Sequence, residues 1–246
     1  MSNLRRAFNF FTRYNTVGTT NEYTRRLYVE KVITELEPGL RLLDAGAGEQ
    51  QYKRLCGHLK YVSQDFAQYN GVGDNVGLQM GKWDNANLDI VCDISNIPEP
   101  DASFDVVLCT EVFEHLPDPI GAIREFSRLL RPGGKVIITA PFCSLTHFAP
   151  YHFYSGFNRY FYETTLVNNG FCDLKIEPNG NYFEFLAQEV RRIEDVAATY
   201  GARPKIRFYE RLVIWAALGM LRRLSKHDEG SAALLHFGCH VQAVKL

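Results

Sequence analysis

The sequence predicts an α/β fold built on a parallel sheet, and three observations carry that prediction. Short apolar runs recur along the chain and alternate with connecting segments. The first of them, Leu42-Leu43-Asp44, opens into Ala45-Gly46-Ala47-Gly48. A second run, Lys60-Tyr61-Val62-Ser63-Gln64, ends at Asp65, roughly 20 residues further on. An apolar run ending in Asp-x-Gly-x-Gly reads as a buried strand whose carboxyl end gives way to a backbone-exposed loop.

The elements follow in order. Residues 21–37 place Leu27, Val29, Val32, Ile33 and Leu36 at helical spacing, and Pro38-Gly39 ends that helix. Strands are expected at 41–44, 60–65, 88–92, 104–109 and 135–140. A helical segment at 120–130 and the turn Arg131-Pro132-Gly133-Gly134 precede the fifth. Residues 171–177 are a sixth strand candidate, and the alternating stretch 235–245 a seventh. Between strands two and three, residues 66–87 carry Gly71, Gly73, Gly77 and Gly81, too many for a stable helix and too long for an ordinary connection. This segment reads as a mobile loop over a ligand, anchored at Trp83-Asp84. Within 206–224, Leu212, Val213, Ile214, Trp215, Leu218, Met220 and Leu221 form an apolar face flanked by Arg207, Arg211, Arg222 and Arg223. It is too short and too charged at its ends for a comfortable membrane span. A packing or homodimer helix is the first reading, and peripheral contact with a lipid surface the second.

The glycine loop restricts the ligand. Gly46 and Gly48 let a ligand approach the main chain, and Asp65 is where an open α/β sheet offers a carboxylate to a ribose diol. A nucleoside-bearing cofactor is therefore expected. The dinucleotide fingerprint needs a third small residue where this chain has Gln51, and Asp44 would face a pyrophosphate as a second anion. A cationic or zwitterionic ligand suits Asp44 better. No Gly-Lys-Ser/Thr follows, which excludes a phosphate-binding P-loop.

Composition narrows the setting. The chain has 246 residues, 46% of them hydrophobic and 22% charged, enough to bury a large core as one domain. A net charge of −1 supplies no general attraction for nucleic acid. The six cysteines occur singly, without C-x-x-C or His-Cys spacing, so a reduced compartment and no metal site are expected. The opening "MSNLRRAFNFFTRY" lacks a long apolar core and a cleavage site, so it does not read as a secretory signal. A cytoplasmic location follows as the expectation.

Two stretches, "SFDVVLCTEVFEHLPDP" and "EFSRLLRPGGKVIITAP", together with the Asp44 loop, resemble the class I S-adenosylmethionine-dependent methyltransferases, specifically the type 11 group. The resemblance covers roughly residues 40–173. Further segments, "YVSQDFAQYNGVGD", "WDNANLDIVCD" and "HFYSGFNRYFYE", are similar to a bacterial subfamily associated with surface-glycan biosynthesis. The resemblance implies a Rossmann-like sheet of seven strands, the last antiparallel between strands five and six, with a helical insertion before it. It implies one methyltransferase domain over 1–246: an N-terminal helical cap (1–37), a cofactor-binding core (38–180), the insertion (181–226) and the final strand (227–246).

The same resemblance assigns roles. Gly46, Ala47 and Gly48 would present backbone to the amino-acid end of S-adenosylmethionine, and Asp44 would favour its ammonium. Asp65 would accept the ribose hydroxyls, Asp93 the adenine amine, and the Ile94 backbone a ring nitrogen. Phe66 would cover the purine, and Thr110 and Glu111 would border the sulfonium. For a hydroxyl acceptor a base is needed. His152 and His147, after strand five, rank above His115. The dense aromatics nearby suggest an acceptor pocket, with Phe142, Tyr151, Tyr154 and Arg159 as substrate-binding candidates. The expected activity is O-methylation of a small molecule or a sugar or glycan precursor. N- or C-methylation, and cofactor binding without catalysis, stand as alternatives.

Overall fold

Alternation of apolar side chains along each strand builds the sheet between two helical layers. In a computed structural model describing residues 16–201 and 206–246, strands β1 (Arg41–Ala45), β2 (Lys60–Asp65), β3 (Ile90–Val91), β4 (Phe104–Thr110), β5 (Leu130–Pro141), β6 (Phe171–Asn179) and β7 (Gly238–Lys245) form one sheet. Its order is β3-β2-β1-β4-β5-β7-β6. The pairs among β1 to β5 are parallel and β7 runs antiparallel to β5. This is the expected Rossmann-like α/β fold, with the last strand between the fifth and sixth. The N-terminal stretch 1–15, on which the reading of the leader rests, lies outside the described residues.

The described chain divides into two compact units: Arg25–Glu177 with Gly238–Leu246, and the residues up to Thr24 with Pro178–Phe237. In the first, Leu43, Val107, Val136 and Ile138 point to one face of the sheet. There they meet Ala122, Ile123, Phe126 and Leu129 of helix α2 (Pro119–Leu129) and Tyr162 and Leu166 of α3 (Arg159–Asn168). Leu42, Val106, Leu108 and Ile137 point the other way, onto Val29, Val32 and Ile33 of α1 (Asn21–Thr34). The two faces follow from the period of two in a strand. Asp118 starts α2 by accepting from the Gly121 N–H at 2.8 Å, and Asn158 starts α3 by accepting from Phe161.

The second unit contains the insertion, a pair of helices, α4 (Tyr182–Tyr200) and α5 (Phe208–Lys226), around Val17, Ala187, Leu218 and Leu221. Leu212, Val213 and Met220 of α5 remain exposed. No helix among the described residues is long and apolar enough to cross a membrane.

One strand is shorter than its sequence suggests. Residues 88–92 predict five strand positions, yet only Ile90–Val91 pair with β2. Side chains replace the missing ladder. Asp89 accepts from the Ser63 N–H (2.8 Å) and hydroxyl (2.7 Å), and Gln64 donates to the Cys92 carbonyl (2.8 Å). The strand order reverses between β1 and β4, and the carboxyl ends of those strands open at that point, where an α/β sheet binds ligands.

Candidate functional site

The turn after β1 is shaped by close backbone approaches. Gly46 has φ +76°, and a Cβ there would lie 2.4 Å from Val112 Cγ2, just beyond β4. Gly48, at φ +49°, would place a Cβ 2.6 Å from Trp83 Cζ2. Neither position accepts a larger residue without movement. The Gly46 and Ala47 N–H groups donate to the Gln64 carbonyl, both at 2.8 Å, and the Gly48 N–H donates to Asp65 Oδ2 at 3.0 Å. Asp65 Oδ1 accepts from the Ala67 N–H at 2.8 Å. One carboxylate thus joins the β1 turn to the end of β2, with lone pairs left to accept from a ligand.

Asp44 is 2% exposed and accepts from the Tyr61 hydroxyl at 2.7 Å. Burial pushes its carboxyl up to about 6, against the lowering effect of that hydrogen bond. Asp93 behaves differently. It is exposed, lies past the short β3, and its Oδ1 accepts from the Ser95 N–H (2.8 Å) and hydroxyl (2.6 Å), which lower its pKa. One of its oxygens therefore caps the following turn, while Ile94 is buried beside it.

The glycine-rich segment is docked rather than loose. Leu78 N–H donates to the Thr146 carbonyl and Phe148 N–H to the Leu78 carbonyl, both at 3.0 Å. Asp74 N–H donates to the Ala149 carbonyl at 3.1 Å. Trp83 lies over Gly48 and meets the rings of Tyr69 and Phe148, so the expected anchor is in place. Phe66 makes an edge contact with Tyr151 at 5.0 Å between centroids.

Beyond β4, Thr110 is buried and Glu111 takes φ +54°. Glu111 is held by Thr139 Oγ1 (3.0 Å) and by the Arg25 guanidinium (2.9 Å). Then comes a convergence that spacing along the chain did not reveal. Glu114, 1% exposed, places Oε1 3.7 Å from both His115 Nε2 and His147 Nε2. Its Oε2 is buried with no hydrogen-bond partner among the described residues. The His147 ring lies 4.7 Å from that of His115 and 4.9 Å from that of His152. These three histidines are therefore one cluster. The expectation of no metal site rested on spacing in the sequence, and among the described residues Glu114, His115 and His147 hold ligand atoms within 4.8 Å of one another.

Electrostatics separate the members. Burial raises Glu114, and it pulls His115 down to about 3, helped by His147. Burial also pulls on His147, but the facing Glu114 carboxylate and the Leu145 carbonyl outweigh it and leave that imidazole raised. His152 is lowered, by burial and then by His147, and its Nε2 lies 3.2 Å from Ser144 Oγ.

Of the acceptor-pocket candidates, Tyr151 joins the cluster through its carbonyl, 2.5 Å from His115 Nδ1. Tyr154 is 40% exposed and donates to the Pro117 carbonyl at 3.3 Å. Phe142 is half-buried just after β5. Arg159 is engaged by Glu163 on its own helix, at 2.5 Å and 3.0 Å. Sequence reasoning missed Glu114 and Tyr61. The Glu-His pair after the fourth strand was the available signal for the first; nothing marked the second.

Residues 43–138 match a family described as methyltransferase domain. The chain is similar to the Ubiquinone biosynthesis O-methyltransferase of Xanthomonas axonopodis pv. citri (strain 306), 34% identical over 117 residues, 45% of this chain and 47% of that protein. It is also similar to Phosphoethanolamine N-methyltransferase 1 of Arabidopsis thaliana, 27% identical over 194 residues, 72% of this chain and 38% of that protein. It thus spans less than half the length of these two curated relatives. A solved structure described as a SAM dependent methyltransferase from Archaeoglobus fulgidus shares the fold, with a TM-score of 0.56 and 17% identity over 96% of this chain and 99% of that one.

Proposed function

We propose that this chain, built on a methyltransferase domain, is an S-adenosylmethionine-dependent methyltransferase whose acceptor atom is an oxygen of a small molecule. The observation that carries the oxygen reading is the Glu114–His115–His147–His152 cluster, gathered beyond the ends of β4 and β5. A hydroxyl must lose its proton around the time of transfer, and a cluster of imidazoles around a buried carboxylate supplies that chemistry.

The remaining residues serve the donor in this reading. The turn at Gly46, Ala47 and Gly48 borders the amino-acid end of the cofactor, and buried Asp44 complements its ammonium group. Asp65 receives the ribose hydroxyls. The Ile94 backbone and the second oxygen of Asp93 meet the adenine, Phe66 covers it, and Thr110 and Glu111 border the sulfonium. Transfer then needs alignment of oxygen, carbon and sulfur. The C–O bond forms as the C–S bond breaks, the electron pair stays on sulfur, and the hydroxyl proton leaves through the histidine cluster.

The acceptor is a sugar or glycan precursor in the finer form of this proposal, supported by the resemblance of "YVSQDFAQYNGVGD" and "HFYSGFNRYFYE" to a glycan-associated subfamily. A cytoplasmic place for the reaction accords with six free cysteines among the described residues. Transfer of labelled methyl from S-adenosylmethionine to panels of nucleotide sugars, phenols, amines and carbon acids tests the reading. Turnover confined to hydroxyl acceptors is expected. Turnover confined to amines would replace oxygen by nitrogen, and no binding of S-adenosylhomocysteine would remove the cofactor.

A further inference from the structure

We propose that Glu114, His115 and His147 form a binding site for a divalent first-row transition-metal ion, held by one carboxylate and two imidazole nitrogens at the mouth of the acceptor site.

Tautomers set by the backbone make the case. His115 Nδ1 lies 2.5 Å from the Tyr151 carbonyl and His147 Nδ1 lies 2.8 Å from the Leu145 carbonyl. A carbonyl only accepts, so each Nδ1 carries the proton, and in the neutral ring each Nε2 is left to offer a lone pair. Both Nε2 atoms lie 3.7 Å from Glu114 Oε1, too far for a hydrogen bond. With both rings neutral, three possible ligand atoms thus lie within 4.8 Å of one another. Ligand atoms about 2.1 Å from a common tetrahedral ion stand about 3.4 Å apart, so a shift of a few tenths of an ångström brings these atoms to binding distance. An imidazole whose other nitrogen donates to a backbone carbonyl is the usual outer support of a metal-binding histidine.

The carboxylate adds a second, independent sign. Glu114 is 1% exposed and its Oε2 has no partner among the described residues. Burying a carboxylate that way is costly unless a cation or a proton compensates it. An ion at Oε1 does so and leaves Oε2 available as a second ligand atom.

The site is also preformed. Phe153 and Tyr154 N–H groups donate to the Glu114 carbonyl at 2.8 and 3.2 Å, which holds the turn that carries the Tyr151 carbonyl. On the other side, Leu78 bonds to residues 146 and 148 and brackets His147. Ligands held this way need little rearrangement to bind.

Two imidazoles with one carboxylate favour zinc, cobalt, iron or nickel over magnesium or calcium, which prefer all-oxygen sites. Three protein ligands leave a coordination position open. There an acceptor hydroxyl would bind, and the ion would lower its pKa so that the proton leaves more readily through His152, the histidine of the cluster that holds no ion. That catalytic consequence rests on the oxygen reading above; ion binding does not.

The test uses tag-free full-length protein stripped with chelator and titrated with Co²⁺. A visible absorption band saturating at about one equivalent, and displaced by Zn²⁺, is expected. His147→Asn should weaken Co²⁺ binding at least tenfold, with far-UV circular dichroism and S-adenosylhomocysteine affinity within twofold of wild type. Glu114→Gln should do the same if it folds; His147, nearer the surface, keeps the test decisive if it does not. No saturable Co²⁺ or Zn²⁺ binding, equal binding by the His147 variant, or binding of Mg²⁺ alone would overturn the site. Hydroxyl methylation by metal-free protein at the full rate would remove the ion from the reaction while leaving the proposed function intact.

Discussion

Replacing Asp44 by Asn should affect stability and cofactor affinity in opposite directions. Asp44 is 2% exposed and titrates at about 6 because burial disfavours its charge. In the unfolded chain the same group titrates near ~3.9. Between those values the native state holds the proton more tightly than the unfolded state does. Stability therefore falls as pH rises from about 4 to about 6, and stays reduced above that. The gap corresponds to ~3 kcal/mol at neutral pH, an order-of-magnitude figure. Asn has no charge to bury and its amide oxygen can still accept from the Tyr61 hydroxyl, which now sits 2.7 Å from the carboxylate. The ligand-free Asn variant should thus be more stable than wild type by up to ~3 kcal/mol at pH 7.5, by only ~1 kcal/mol at pH 4.5, and about equal below about pH 3.5. The cofactor ammonium would favour the ionised carboxylate, so wild-type affinity for S-adenosylhomocysteine should rise with pH through about 6 and the variant's should be weaker and flat. Urea unfolding and calorimetric titration across this range measure both. A variant whose stability follows wild type within about 0.5 kcal/mol at every pH would refute the argument.

Asp65→Ala should weaken S-adenosylhomocysteine binding at least tenfold in calorimetry, since it removes an acceptor of charged bonds worth roughly 1.5–3 kcal/mol each. Unchanged affinity would take Asp65 out of the site. Gly48→Ala places a methyl 2.6 Å from Trp83 at φ +49° and should lower stability by ~1–2 kcal/mol, read as a reduced melting temperature. Adding Trp83→Ala should recover the steric part only. In hydrogen exchange, S-adenosylhomocysteine should add protection across residues 71–83, beyond that already present at the bonded Leu78 amide. Absence of any ligand effect there would separate the loop from cofactor binding.

Much of the fold was legible in local pattern. Leu42 and Leu43 point to opposite faces as their alternation requires, and the glycines at 46 and 48 occupy positions that a side chain would obstruct. Period and steric demand are properties of neighbouring residues, so a sequence displays them directly. The same logic failed at β3, where Asp89 and Gln64 replaced ladder bonds with side-chain bonds to partners about 26 to 28 residues away. It also gave Asp93 a ligand-facing role in which one oxygen is already used by Ser95. The histidine cluster depended on tertiary structure most of all. Thr110 of β4 aligns with Thr139 of β5, so the segments beyond both strands emerge at the same edge of the sheet. That register, and the docking of Leu78 beside His147, bring Glu114 and His115 against a histidine 32 residues later in the chain. A sequence names those three residues, but only the paired strands decide that they meet.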